Sequence, residues 1–205
     1  MLVRAGPALG PPHEVACAAP LRGKKGAHYE GGMRVPFIAA WAKPNPENPQ
    51  QKRLPIPAGA IQSQSASVCD LFPTILHVVG IAPPDHHVVD GARLDTLLKG
   101  QPDPGREDAF LMHYPHSPHR SNYFTVYRAG PWKVIYHYFP SEASENSHYQ
   151  LFHLDDDPFE QKNLATSRPI ELRRMMRGLI AALENHGAVY PVGEDGITPL
   201  RPQMP

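Results

Sequence analysis

Cysteine is scarce: the chain has two, Cys17 and Cys69, in 205 residues. Two are too few for a disulfide framework, and their spacing is not that of a metal-binding cluster. Cys17 lies in VACAAP and Cys69 in SVCDLFP, at what reads as a helix start, so both are expected to be plain free or buried thiols. An excess of charge of one sign is also missing. Lysine plus arginine and aspartate plus glutamate number 20 each, which argues against an extended nucleic-acid surface and leaves room for a local basic pocket. No apolar run approaches the length of a membrane span. The first twenty residues, MLVRAGPALGPPHEVACAAP, are broken by proline and lack the continuous apolar core of a secretion signal, so the compartment stays open.

Proline, by contrast, is abundant. There are 25, more than twice the usual share of ~5%. They crowd residues 7–20, 44–57, 83–84, 102–118 and 191–205, which are therefore expected to be irregular connections and ends, because proline fixes φ and removes a donor. Between these segments the periodicity is readable. Residues 1–19 show none. VPFIAAW (35–41) fits a strand buried on both faces, and 42–60 a polar surface loop. DLFPTILHVVG (70–80) reads as a helix capped by Asp70 and ended by Gly80, with Leu71, Ile75, Leu76 and Val79 on one face. DGARLDTLLKG (90–100) reads as a short helical turn ended by Gly100.

The texture changes near residue 109. AFLMHY (109–114), YFTVYR (123–128), PWKVIYHY (131–138) and YQLFHL (149–154) are four strand candidates. The middle two flank Ala129–Gly130, a natural hairpin turn. Residues 168–186 carry Leu172, Met175, Leu179 and Leu183 at helical spacing, with Gly187 as a stop. RRMMR (173–177) then reads as the wet face of that helix beside buried methionine, not as a nucleic-acid patch. The second half is thus expected to be an antiparallel sheet covered by one helix, an α+β layer arrangement.

Chemistry concentrates in PLRGKKGAHYEGGMRVP (20–36), where Lys24 and Lys25 sit on a backbone loosened by glycine. Glycine lets main chain approach a neighbour closely, and a lysine ammonium is a compact charge suited to a tetrahedral oxyanion. Taken alone, GKKG also fits a solvated basic loop, and it is not a Walker A motif, because the G-x-x-x-x-G-K-[ST] spacing is absent. Of the twelve histidines, His86 and His87 read as exposed loop residues. HYPHSPHR (113–120) is denser, with His113, His116, His119 and Arg120. Imidazole is a common metal ligand, but no fixed frame holds these residues in a ligating arrangement. LDDDPFEQKNL (154–164) offers Asp155, Asp156, Asp157 and Glu160 as hard oxygen donors, yet lacks the alternate spacing and central glycine of an EF-hand. It is better explained as a turn leading into the last helix, with Asn163 bonding local backbone.

The order of these blocks is informative. LRGKKGAHYEGGMRVPFIAAW, then DLFPTILHVVGI, then DGARLDTLL, and later RAGPWKVIY and YQLFHLDDDPFEQKNL, resemble the C-terminal part of the sulfatases of the alkaline-phosphatase superfamily. The resemblance runs from about Pro20 to about Gly187. It implies an α/β fold: residues 20–108 would be the C-terminal part of the large sulfatase domain. Residues 109–190 would be a small α+β subdomain of a four-stranded antiparallel sheet with a C-terminal helix, and 191–205 an irregular tail. It further implies that Lys25 matches the lysine that holds a sulfate oxygen of a small-molecule or glycan sulfate ester. His113 and His116 would lie on a loop lining the substrate pocket, with substrate contact and a purely structural loop both open. Tyr29, Glu30, Gly31, Gly32 and Arg34 would brace the turn, Glu30 by pairing with a lysine or with Arg34.

The same resemblance exposes what is missing. Sulfatases use a formylglycine made from a C-x-P-S-R or similar motif, and a divalent cation, usually calcium. No C-x-P-x-R or S-x-P-x-R occurs in the chain, and VRAGPALG, with Arg4 and Ala5, stands where a metal-binding D-N-G would be wanted. The expectation is a truncated or frame-disrupted C-terminal sulfatase portion that assembles no cation site and hydrolyses sulfate esters negligibly by itself. A phosphoryl or phosphonate hydrolase portion of the same superfamily and a non-catalytic anion-binding module remain as alternatives.

Overall fold

The computed structural model describes residues 2–3, 18–116 and 122–205. Arg4, Ala5, Cys17, His119 and Arg120 lie outside the described residues. In chain order the α-helices and strands are β1 (Leu2–Val3), α1 (Glu30–Met33), β2 (Phe37–Ile38), α2 (Pro49–Arg53), α3 (Leu71–Val79), α4 (Asp95–Leu98), β3 (Ala109–Tyr114), β4 (Phe124–Ala129), β5 (Trp132–His137), β6 (Tyr149–His153) and α5 (Pro169–Asn185). The described residues divide into two compact units, one of 2–3 and 36–108, the other of 18–35 and 109–205. The lysine-bearing segment thus groups with the sheet in the second half rather than with residues 36–108.

In the first unit, β1 and β2 pair antiparallel through two residues each. The stretch expected to be a strand buried on both faces is instead this short pair, with Phe37 and Ile38 exposed. Its apolar character reports surface that no described element of the unit covers. Within the expected loop 42–60, Asn48 caps α2 by accepting from the Gln50 and Gln51 N–H groups at 3.0 and 3.1 Å, and Pro49 occupies the first helical position, where its missing donor is harmless.

Helix α3 ends where expected, at Gly80 with φ +75. Its buried face is not the one periodicity suggests: Ile75 and Val79 are exposed and Thr74 is buried. The Thr74 hydroxyl donates to Asp70 O at 2.6 Å and accepts from Leu94 N–H at 2.8 Å, so hydrogen bonding to a distant segment decides which side turns inward. Asp70 works in the turn before the helix. Its carboxylate accepts from Ser67 N–H at 2.6 Å and Ala92 N–H at 2.8 Å and pairs with Arg106.

The second unit is built on a four-stranded antiparallel sheet in the order β3-β4-β5-β6. Ala129 pairs with Trp132 across a tight turn in which Gly130 takes φ +56, a conformation that favours glycine. Alternation gives the sheet two distinct faces. On one, Val134, Tyr136, Tyr138 and Leu151 pack with Leu172, Met175, Met176, Leu179 and Leu183 of α5. On the other, Phe124, Val126, Ile135, Phe152 and Leu154 pack with Tyr29, and Met33 closes over them. The segment before β2 therefore covers the face that α5 leaves open. The final residues are tied down as well: Leu200 packs against the α5 core, and Tyr149 donates to Gln203 O at 3.1 Å.

Candidate functional site

The segment 20–36 is shaped by its glycines. Ala27 N–H donates to Lys24 O at 2.8 Å, closing a four-residue turn with Lys25 second and Gly26 third. Gly26 has φ +89 and Gly23, just before the turn, +86, so the glycine at the third position supplies the positive φ that a type II turn requires. Lys24 and Lys25 are both exposed. Gly31 and Gly32 serve a different need. A Cβ on Gly31 would lie 2.6 Å from Arg22 O and Gly23 O, and one on Gly32 2.3 Å from Ala27 O. The loop backbone rests directly on α1, and only glycine permits that approach.

Beneath the loop lies a group of buried charges. The Lys133 ammonium, fully buried on β5, is 2.9 Å from Glu30 Oε1 and 2.7 Å from Glu160 Oε1. Glu30 also pairs with Arg34, whose side chain reaches in from the surface. Glu160 accepts from the Glu30 N–H at 2.6 Å, and its own carbonyl accepts from Arg22 at 2.7 Å. Arg22 in turn lies 3.8 Å over the Tyr29 ring. Burial by itself would push the Glu30 carboxyl up, but the Lys133 charge and hydrogen bond, with Arg34, hold it below the ordinary value. For Glu160 burial wins, and its carboxyl stays above the ordinary value despite Lys133.

Next to this cluster sits His28. It is buried against Tyr29, Phe124 and His137 at ring distances of 4.2, 5.1 and 4.9 Å, and neither ring nitrogen has a hydrogen-bond partner. Burial, followed by the charges of His137, Lys133 and Arg22, lowers its pKa to about 3. His137 is better served: it and the Tyr29 hydroxyl both donate to Gln150 Oε1, at 2.9 and 3.1 Å.

The two histidines expected near the substrate part ways. His113 is paired with Thr125 across the sheet and turns to the α5 face. Its Nε2 lies 2.7 Å from Val189 O, which can only accept, so Nε2 carries the proton. Nδ1 then accepts from the Thr125 hydroxyl at 2.7 Å, which accepts in turn from Tyr138 at 2.9 Å. Both nitrogens are used inside the protein, and burial lowers the His113 pKa against the opposing Val189 bond. His116 is exposed after β3, its ring meeting Tyr114 edge-on with 5.5 Å between ring centres. Tyr114 stacks on Phe124 at 5.4 Å, and Phe124 meets His28. A ladder of rings thus connects His116, and not His113, to the lysine loop.

Among the described residues no group of three or more histidine, cysteine, aspartate or glutamate side chains could hold a metal ion. The carboxylates of the buried cluster are already met by Lys133 and Arg34, so the residues present do not fit a calcium site. Asp157 and Asn163 are spent on local backbone, Asp157 accepting from Lys162 N–H at 2.8 Å and Asn163 from Leu151 and Ala165 N–H at 3.0 Å each, while the Glu160 carboxylate is held by Lys133 and the Glu30 N–H. No helix among the described residues is long and apolar enough to cross a membrane.

The chain is 27% identical over 202 residues to steryl-sulfatase of Mus musculus, covering 87% of this chain and 30% of that protein. It is 32% identical over 155 residues to a sulfatase of Formosa agariphila, covering 72% of this chain and 24% of that one. Among solved structures it is similar to Ps i-CgsB in complex with k-i-k-neocarrahexaose, with a TM-score of 0.57 and 25% identity over 78% of this chain and 31% of the other. No protein-family model matches. The class so defined is the alkaline-phosphatase-like α/β fold, in its C-terminal part, with the small sheet-and-helix subdomain. Within that class the chain belongs to the sulfatase family and corresponds to the C-terminal part of its members. It spans less than a third of the length of either curated relative.

The sequence pattern does not single out Lys133. A signal existed, because a lysine at an inward position of the alternating strand WKVIYH has to be neutralised. Nothing local says that its partners come from residues 30 and 160.

Proposed function

We propose that the chain is the sulfate-binding C-terminal portion of a sulfuric ester hydrolase, with Lys25 as the group that touches the sulfate. The observation that carries this reading is the glycine-flanked turn, which presents Lys25 to solvent from a base fixed by buried ion pairs. A sulfate monoester carries one negative charge, and more accumulates on the departing oxygen as the S–O bond breaks. A fixed ammonium stabilises that arrangement electrostatically. Lys24, beside it, has no role in this reading. His116, exposed at the end of the ring ladder, contacts the alcohol or sugar portion of the ester, while His113 braces β3 against the C-terminal residues.

The nucleophile and the calcium of a sulfatase have no counterpart here: the formylglycine motif is absent from the sequence, and among the described residues no group of three or more histidine, cysteine, aspartate or glutamate side chains could hold a metal ion. Hydrolysis therefore requires groups that these residues do not supply. Titration of the chain with inorganic sulfate tests the proposal. Lys25→Ala is expected to weaken binding by about tenfold, roughly the worth of one charge-assisted contact, whereas Lys24→Ala leaves it unchanged. Robust turnover of an aryl sulfate by the chain with calcium, or binding that follows Lys24 instead, refutes it.

A further inference from the structure

We infer that Lys133 and Glu160 are positioning residues for Lys25, acting from the core of the sheet through Glu30 and Arg22 to hold the turn at residues 24–27 in one register. The inference rests on the sulfate reading of Lys25 and adds the device that aims it. Three segments far apart in the chain converge here. Glu30 comes from the lysine loop, Lys133 from the middle of β5, and Glu160 from the turn after β6.

Each contact to the loop is made at its base. Glu160 takes the Glu30 N–H at the start of α1 and receives Arg22 on its carbonyl, so a single residue grips the loop on both sides of the lysine turn. Arg22 O in turn accepts from Gly31 N–H at 2.8 Å, closing the loop on itself. The backbone at Glu160 supports the same view. It has φ +54, a conformation that glycine adopts far more readily than glutamate. A glutamate held there is kept for its carboxylate, which Lys133 and Glu30 both use.

Charge balance explains why the group can be buried. Two carboxylates, Glu30 and Glu160, face two cations, Lys133 and Arg34. Removing Lys133 or either carboxylate, all three of them buried, leaves the remaining charges unmatched, so the cluster favours one arrangement over partial alternatives. Apolar packing of Tyr29 on Phe152, 6.3 Å between ring centres, tolerates sliding. Ion pairs at 2.7 and 2.9 Å do not.

The test uses the full chain and two readouts. Native-state hydrogen exchange follows the Ala27 and Gly31 amides, which close the loop, against the Leu179 amide in α5. In the unsubstituted chain the Gly31 amide is expected to be protected nearly as well as Leu179; if it exchanges about a hundredfold or more faster, the loop is not held and the proposal falls. In Glu160→Gln, which keeps volume and one acceptor, the Ala27 and Gly31 amides should exchange about tenfold faster while Leu179 changes little, and the Lys25-dependent part of inorganic sulfate affinity should fall about fivefold. Arg22→Met, a milder change, should move the same two amides in the same direction.

Loop amides unaffected in both variants overturn the inference. So does a loosened loop with unchanged Lys25-dependent binding. If the unsubstituted chain shows no Lys25-dependent binding at all, the sulfate reading itself fails, and the exchange data separately report whether the loop is anchored.

Discussion

His28 makes the second unit sensitive to mild acid, and the size of the effect follows from its surroundings. The ring is buried, its nitrogens have no hydrogen-bond partners, and its pKa lies at about 3 against an ordinary 6.5. A base whose folded pKa is below its unfolded value takes up its proton in the unfolded chain first. Stability is therefore intact above the unfolded pKa and is lost as pH falls from 6.5 toward 3. Between about pH 7 and about pH 5 the unfolded imidazole becomes nearly fully protonated while the folded one stays neutral. That difference is worth about 2 kcal/mol, a large share of the ~5–15 kcal/mol that holds a domain together. In urea it corresponds to a drop of about 1 M in the midpoint. The assay is urea unfolding followed by Trp132 fluorescence in a Trp41→Phe background, for the chain with His28 and for His28→Phe. His137 and His113 also have lowered pKa values, chiefly from burial, and they add to the acid loss in both proteins. Glu160, raised by burial, acts in the opposite sense in both. The difference between the two proteins isolates His28. An equal loss in both, or a folded His28 whose proton signals titrate near the ordinary value, refutes the reasoning.

Three further outcomes follow from the packing. Gly32→Ala would place a Cβ 2.3 Å from Ala27 O and 2.7 Å from Lys24 O, and should lower unfolding stability by about 1–3 kcal/mol; an unchanged urea midpoint would show that the loop does not rest on α1. Leu179→Ala removes a fully buried side chain between α5 and the sheet and should cost about 2–5 kcal/mol, so a smaller loss in calorimetry argues that α5 is loosely docked. His113→Ala leaves Thr125 and Val189 O without their partner and should cost about 1–3 kcal/mol with no change in sulfate affinity. A weakened affinity in that variant, at unchanged stability, would restore His113 to the substrate pocket.

The parts of this structure that sequence reveals are those whose cause is local. AFLMHY reads as β3 because it is a short apolar and aromatic run of strand length, and the run Leu172, Met175, Leu179, Leu183 reads as α5 because its stripe recurs at helical spacing. Gly80, Gly130 and Gly187 stop or turn the chain where positive φ is needed. The failures have non-local causes. VPFIAAW is apolar enough for a buried strand, but burial depends on neighbours that the described part of its unit does not offer. In α3, periodicity names the face of Leu71, Ile75, Leu76 and Val79, but a hydrogen bond from Leu94 to Thr74 turns another side inward. Three residues of separation do not keep His113 and His116 together. In a strand the side chains alternate between faces, and β3 sends His113 to α5 while the chain beyond it carries His116 past Tyr114.

The buried cluster shows how these two kinds of cause combine in one site. Its members are ordinary in sequence: a glutamate in YEGG, a lysine in PWKVIY and a glutamate in PFEQ. Each belongs to a block by which the chain resembles sulfatases, although the blocks are separated by as many as 130 positions. An apolar anchor would give comparable stability, since burying ion pairs gains little over well-packed hydrophobic residues. What it would not give is a fixed register, because a Leu or Met surface accepts a shifted loop at small cost. Lys133 accepts only an arrangement that delivers carboxylates from residues 30 and 160 together. For a turn whose proposed task is to hold one ammonium at a sulfate, register matters more than stability. The need for a fixed register accounts for a charge buried in the middle of a strand without making it part of the reaction.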